Sequence, residues 1–400
     1  MLKNNLAFII AELRVNYDKK KKIYFITVGR SDFLRQLPIL EYLKKKNNIF
    51  LKILVTGSHS HKLYGKTFNE IKKNNIPWRN CCPKKYSLKE NDISVNLKNC
   101  ITKIDEVLKK DCPNILILFG DRYEVLSGAL AAFGKKILIV HIHGGSVTLG
   151  SFDDQIRHSL TKLSHIHLTS LKEYAERIIQ MGEQKWRVKV VGAPGIDYLK
   201  KYSKNLNNKV LQSFLPTKKE KFILVCFHSE TTNLHSLKNQ LRQIEKVLFK
   251  IKKKIIITYP NSDPGSEIII DFFKKVISKK KNIIFLKNLE YDYYYLLKNC
   301  EFILGNSSSG IVEAATFSTP VINLGIRQTG KHIPKNVTNC SFNYKSIIKV
   351  IDKIEKRNLK KSINIIKNPY GDGKSGIRIG KFLQNLKIKD NLFQKKFIDK

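Results

Sequence analysis

The sequence predicts an α/β protein of two doubly wound domains that face each other across a cleft. Short apolar, β-branched runs occur in two series, the pattern of strands buried in parallel sheets. The intervals between them have the length and patterning of crossover helices. A polar stretch rich in Lys and Asn, residues 200–220, separates the two series.

In the first series the apolar runs are 23–28, 50–55, 115–119, 137–140 and 188–191; in the second they are 222–227, 255–258, 283–286, 302–304 and 321–324. Residues 33–45, 101–110 and 234–251 suit the helices between them. The expected domains are therefore 20–200 and 221–383, followed by a tail, 384–400, whose composition is compatible with packing back on the first domain or with fraying. No short-period repeat is present. Doubly wound sheets bind ligands beyond the carboxyl ends of their strands, so the residues just after each run are the candidates for function.

The chain has 400 residues, 42% of them apolar, enough for two ordinary cores. Its charge is lopsided, 74 Lys+Arg against 33 Asp+Glu, a formal +41. A nucleic-acid binder would concentrate that charge on one face. Here lysines recur throughout, as at 19–22, 44–46, 252–254 and 279–281, with no aromatic-interleaved basic motif, and a solvated surface is expected. The field would still attract an anionic substrate. The seven cysteines include no C-x-x-C pair, which argues against a disulfide framework or zinc ribbon and for reduced thiols. The only apolar stretch near the start, 6–10, is too short for a membrane span and poor as a signal peptide. A cytoplasmic location is expected, with neither nucleic acid nor membrane as partner.

After the first strand comes Gly29-Arg30-Ser31-Asp32, either a capped turn or an anion-binding one with Arg30 on phosphate. After 115–119 comes Gly120-Asp121-Arg122, a site carboxylate or a structural ion pair. The densest stretch is 141–158. It holds His141, His143, Gly144, Gly145, Asp153, Asp154, Arg157 and His158. Asp153 and Arg157 share a helix face. They are an acid/base pair, or an N-cap aspartate with its salt-bridge partner. H-x-H without a third-ligand spacing is weak evidence for a metal, and none is expected.

In the second half, His228 ends a strand, where it can bind phosphate or move a proton. Asn261 lies in a polar turn after the next strand. The clearest signal is Gly305-Asn306-Ser307-Ser308-Ser309-Gly310, with Glu313 one turn on. Hydroxyls and helix-start amides make an oxyanion cradle there, and Glu313 can accept hydrogen bonds from ribose. A basic turn, 325–331, carries Arg327 and Lys331 toward the same phosphates. Gly371-Asp372-Gly373-Lys374-Ser375 looks like the end of a P-loop but lacks the leading glycine and strand, and reads as a helix-starting turn.

In order, the segments 56–59, 120–122, 141–162, 192–197, 258–263, 305–313 and 323–330 resemble the UDP-N-acetylglucosamine 2-epimerase family, especially its hydrolysing, sialic-acid-pathway branch. The resemblance implies a glycosyltransferase-B-like pair of Rossmann-like domains, UDP on the second and the sugar against the first, with no cofactor and a homodimer or homotetramer. It implies that Arg30, His228, Ser307, Ser308 and Arg327 contact the diphosphate and that Glu313 holds the ribose; Arg122, Asn261 and Gly310 are further expected substrate contacts, and His228 is expected to act catalytically by supporting the departing phosphate. Asp121, His143, Asp153, Asp154 and Arg157 would serve proton transfer, Asp154 as a substitute for Asp153 and Arg157 orienting the carboxylates. Many members carry a glutamate at the third or sixth position of the H-I-x-G-G-x segment; here those positions are His143 and Ser146. His143 is expected to take that role, since imidazole titrates near neutral pH. A glycosyltransferase of the same architecture, a non-hydrolysing epimerase and a binding protein without turnover are the alternatives.

Overall fold

The computed structural model describes residues 20–61, 67–87, 89, 92–215, 217, 220–287, 289, 291–356 and 367–399; the side chains of residues 30, 31 and 60 lie outside that description. Two fully parallel sheets are present. With strands numbered along the chain, and β5 (Leu138–Ile142), β7 (Val188–Val190), β10 (Ile283–Leu286), β12 (Val321–Leu324) and the others as given below, the first has the order β3-β2-β1-β4-β5-β6-β7 and the second β10-β9-β8-β11-β12-β13. In the first sheet, β1 (Lys21–Thr27) pairs with β2 (Ile49–Val55) on one side and β4 (Ile115–Phe119) on the other. In the second, β8 (Phe222–Cys226) lies between β9 (Lys254–Thr258) and β11 (Ile303–Gly305). Strand order reverses at β1/β4 and again at β8/β11. A crevice opens at each reversal because the adjoining crossovers leave on opposite faces.

Every apolar run expected as a strand is one, within a residue or two at its ends. Three short strands escaped the sequence reading: β3 (Trp78–Asn80), β6 (Ile166–Thr169) and β13 (Val337–Cys340). Each is three or four residues long and carries polar positions, so no apolar run marks it. In β6, His167 is fully buried and bonds Glu183 through Nε2 at 3.2 Å.

The last helix, Ser375–Asn385, crosses back to the first sheet. It lies on the helix Arg30–Lys44, and Ile379 and Leu383 join the core there. At Gly380 a Cβ would stand 2.2 Å from the Tyr42 ring, so only glycine permits that approach. The helix start is held by the Asp197 carboxylate, which accepts the N–H groups of Ser375 (3.1 Å) and Gly376 (2.7 Å), as a helix-starting turn requires. The tail beyond it packs rather than frays. Arg187 donates to the carbonyls of Leu392 and Gln394, and Lys395 to those closing the helix Asp153–Leu163. All seven cysteines are free. Among the described residues no helix is long and apolar enough to cross a membrane.

Gly305 sits at φ +143°, where a Cβ would fall 2.1 Å from the Cys226 carbonyl oxygen. Both strain and clash follow from any side chain. Gly305→Ala is expected to cost at least ~1–3 kcal/mol, read as a lower urea midpoint.

Candidate functional site

The carboxyl ends of the two reversal points face one another, and the halves are drawn together there. Arg122 Nη1 donates to Asp263 Oδ1 at 2.6 Å and Arg35 Nε to Glu313 Oε1 at 2.9 Å. The Leu149 N–H donates to the Thr329 carbonyl (3.1 Å) and the Phe152 N–H to Thr231 Oγ1 (3.1 Å). Between the halves run three adjoining hollows. The first is lined by His228, Asn261, Tyr293, Ser307, Ser308 and Glu313, with Arg35 at its rim. The second holds Asp121, His143, Ser146, Ser308, Glu313 and Lys331. The third holds Asp121, Arg122, Asp153, Arg157, Ser308, Arg327 and Lys331. Arg35 and Ser308 border all three, which makes them one continuous cleft.

Asp121 lies two residues beyond the end of β4, and the Arg157 guanidinium reaches it from the helix Asp153–Leu163. Arg157 is 1% exposed, and all its nitrogens are used. Nε donates to Asp121 Oδ2 (2.9 Å), Nη1 to the Ser146 carbonyl (2.9 Å) and Asp154 Oδ1 (2.8 Å), and Nη2 to Thr148 Oγ1 (2.9 Å) and again to Asp121. Burial alone would raise the Asp121 carboxyl. The positive charges of Arg157 and Lys331 outweigh it and hold Asp121 low, at about 2. Asp121 nonetheless keeps 31% of its side chain open to the cleft.

Asp153 behaves oppositely. Among the described residues its carboxylate accepts only the Ser151 hydroxyl, at 2.7 Å. Burial, then the negative charges of Asp121 and Asp263, push its carboxyl up to about 7. The Asp153–Arg157 pair expected from their helical spacing does not form, because Asp121 and Asp154 claim the guanidinium. Asp154 is committed to Arg157, to the Thr148 N–H at 2.7 Å and to His158 at 3.5 Å, and borders none of the three hollows. It is a brace for the loop and not a stand-in for Asp153.

His143 does enter the cleft, on a backbone with φ +74° and with its ring edge-on to Phe119. The expectation that it titrates near neutrality is overturned. Burial and then the Arg35 charge press its pKa down to about 3, so the imidazole is neutral at physiological pH.

On the opposite wall, β11 delivers Ser307 and Ser308 at the start of a helix of only five residues, Ser308–Val312. Ser307 caps it, its hydroxyl taking the Ser309 N–H at 3.4 Å. Gly310 faces inward, its Cβ position 3.0 Å from Val321 Cγ1; it is a packing residue and does not touch the cleft. The Asn261 N–H donates to His228 Nδ1 at 3.1 Å, which leaves Nε2 as the proton-bearing nitrogen. Arg327 is 7% exposed, and its buried Nε has no hydrogen-bond partner, an orphan donor beside the serine turn. The turn that carries it is fixed by Glu230, whose Oε1 accepts the N–H groups of Ile326 (2.6 Å) and Arg327 (3.0 Å).

Arg122 is engaged by Glu124, Ser262 and Asp263, so it ties the halves together more than it awaits a ligand. The Arg30 side chain lies outside the described residues. Arg35, Asp263 and Tyr293 were not singled out from sequence. Arg35 meets Glu313 across 278 positions, and no local spacing reports such a contact.

Residues 41–384 match the family model for UDP-N-acetylglucosamine 2-epimerase. The chain is 30% identical over 378 residues to a UDP-N,N'-diacetylbacillosamine 2-epimerase (hydrolyzing) of Legionella pneumophila, covering 94% of this chain and 98% of that protein. It is 33% identical over 333 residues to a UDP-N-acetylglucosamine 2-epimerase of Neisseria meningitidis, covering 83% and 86%. Its fold matches the crystal structure of the Methanocaldococcus jannaschii UDP-GlcNAc 2-epimerase in complex with UDP-GlcNAc and UDP, at TM-score 0.76 and 23% identity over 91% of this chain and 99% of that one. A cleft between two such sheets, with serines and an orphan arginine facing paired aspartates, accords with those matches: the chain belongs to the UDP-N-acetylglucosamine 2-epimerase family.

Proposed function

We propose that the protein is a hydrolysing 2-epimerase of a UDP-linked N-acetylated sugar. Its substrate is UDP-N-acetylglucosamine or its 4-acetamido relative UDP-N,N'-diacetylbacillosamine, the latter supported by the names of the Legionella relative and of a 30% identical Campylobacter jejuni protein. The products are UDP and a free N-acetylmannosamine-type sugar for sialic-acid-like sugar synthesis. The observation that carries the reading is the sharing of two hollows by Ser308 and Asp121, so that one ligand can touch both walls.

The diphosphate lies against Ser307, Ser308, His228 and Arg327, where the orphan Nε and the His228 Nε2–H donate to it. Glu313, steadied by Arg35, takes the ribose hydroxyls. A carboxylate removes the C2 proton as the C1–O bond breaks and its electron pair passes to the β-phosphate. Water then adds at C1 and a proton returns to the opposite face of C2. The C2 hydrogen is weakly acidic, so stabilising the leaving diphosphate speeds the step as well as binding. Asp153, near 7, suits a group that both gives and takes a proton. Asp121, held ionised, is the second acid/base residue and lines the same hollow as Asp153.

Turnover in heavy water, followed by NMR, tests this. Free sugar with deuterium at C2, released with UDP and without an acceptor, is the expected product. A UDP-linked epimer would make the enzyme non-hydrolysing, and no reaction without an acceptor would favour a glycosyltransferase.

A further inference from the structure

The expulsion of UDP leaves a developing negative charge on the bridging oxygen, and a group is needed to hand it a proton. We propose that Lys331 is that group: its ammonium protonates the departing β-phosphate oxygen, and the resulting amine then takes the proton from the water that adds at C1. This rests on the epimerase reading above and goes beyond it by naming the acid at C1.

The geometry singles out Lys331. Of the residues able to exchange a proton, only Lys331 and Asp121 border both sugar-side hollows, and Asp121 is bound to Arg157. His228 borders the nucleotide hollow alone among the three. The arginines that border these hollows do not release protons at accessible pH. Among the described residues, Nζ of Lys331 has no hydrogen-bond or ion-pair partner, whereas almost every other charged group in the cleft is engaged. Its backbone is nevertheless well fixed. The turn 325–331 is held by Glu230 on one side and by the Leu149 N–H on the other, so a ligandless ammonium is presented from a rigid base.

The surrounding charges suit the task. Arg157, Arg327 and Arg35 face Lys331 with their positive charges, Asp121 faces it with its negative one, and Asp153 and His143 line the same hollows. Burial first, then Arg157, lowers the ammonium to about 7, only partly offset by Asp121. An acid near the working pH gives its proton readily and takes the next one back. The atoms balance. The C1–O bond breaks, its electron pair goes to the phosphate oxygen, and Nζ–H protonates that oxygen. Water then forms the new C1–O bond and returns a proton to Nζ, while the C2 proton is handled by the aspartates.

Lys331→Ala and Lys331→Arg in the full-length enzyme test the assignment. Both are expected to lower kcat by ~10²–10⁴-fold with KM changed only a few-fold, since arginine keeps the charge but not the transferable proton. Ethylamine in the buffer should restore part of the Lys331→Ala rate in proportion to its concentration, which a purely structural role would not do. In addition, UDP affinity of the wild type should fall from pH 6 to pH 9 more steeply than that of Lys331→Arg, because the amine must be recharged to hold the phosphate. A Lys331→Arg enzyme with the full rate would reduce the lysine to a fixed charge and overturn the proposal. So would an unimpaired Lys331→Ala enzyme, or identical pH profiles of binding. A wild type that releases no UDP from either candidate sugar nucleotide sinks the epimerase reading and this one together. Turnover that survives loss of Lys331 sinks this one alone.

Discussion

Asp153→Asn is expected to abolish most turnover, lowering kcat by ~10²–10⁴-fold, while making the folded protein more stable at pH 8. Both effects have one origin. The Asp153 carboxyl is pushed up to about 7 by burial and by the neighbouring charges of Asp121 and Asp263, whereas in the unfolded chain it ionises near 3.8. Between these values the folded state binds a proton that the unfolded state has released, so native stability falls as pH rises from about 4 to 7. Above 7 the buried anion is present in full and its cost is constant. Asparagine removes that cost. The gain in Tm should therefore be largest at pH 7 and above, shrink toward pH 5 and vanish below 4. Thermal melts of wild type and variant across this range are the measurement, with kcat taken on the same samples. A variant that loses activity and stability together at pH 8 would mean that Asp153 is a structural brace and not a strained catalytic group.

Arg157→Met is the variant expected to cost most stability. It removes a guanidinium that satisfies Asp121, Asp154, the Ser146 carbonyl and the Thr148 hydroxyl together. Breaking one side of a buried ion pair costs ~3–5 kcal/mol, because the remaining charges are left uncompensated. The urea midpoint should fall accordingly. Activity should fall even where the variant is fully folded, as Asp121 loses the positive charge that keeps it ionised and the donors that aim it. Arg157→Lys should recover little of either, since one ammonium cannot reach acceptors spread around a planar fork. Near-wild-type stability of Arg157→Met would show that the network stabilises little beyond its own desolvation cost.

How far the sequence carried depends on the range of the interaction involved. The strands, their parallel arrangement and most helices follow from local patterning. Apolar β-branched runs bury themselves on both faces of a sheet, and the polar intervals cannot. The rule that ligands gather beyond strand ends points to residues 120–122, 141–158 and 305–313 from the sequence alone. The short strands β3, β6 and β13 had no such run and were invisible. Gly310 was misread as a ligand contact because glycine after serines has the same signature whether it admits a phosphate or, as here, Val321.

What the sequence by itself determined is the architecture, the family and the set of segments that reach the cleft, all of which rest on local periodicity and ordered motifs. Only the tertiary structure decided the partners. It paired Arg157 with Asp121 and Asp154 instead of Asp153, Arg35 with Glu313, and Arg122 with Asp263, and it left the Lys331 ammonium with no hydrogen-bond or ion-pair partner among the described residues. The reason is electrostatic. A proton affinity is set by burial and by charges a few ångströms away in space, and most of those charges lie tens to hundreds of positions away along the chain. Three acidic or imidazole groups of similar promise in the sequence, Asp121, His143 and Asp153, therefore separate into an anion, a neutral ring and a poised acid only once the two sheets are brought face to face.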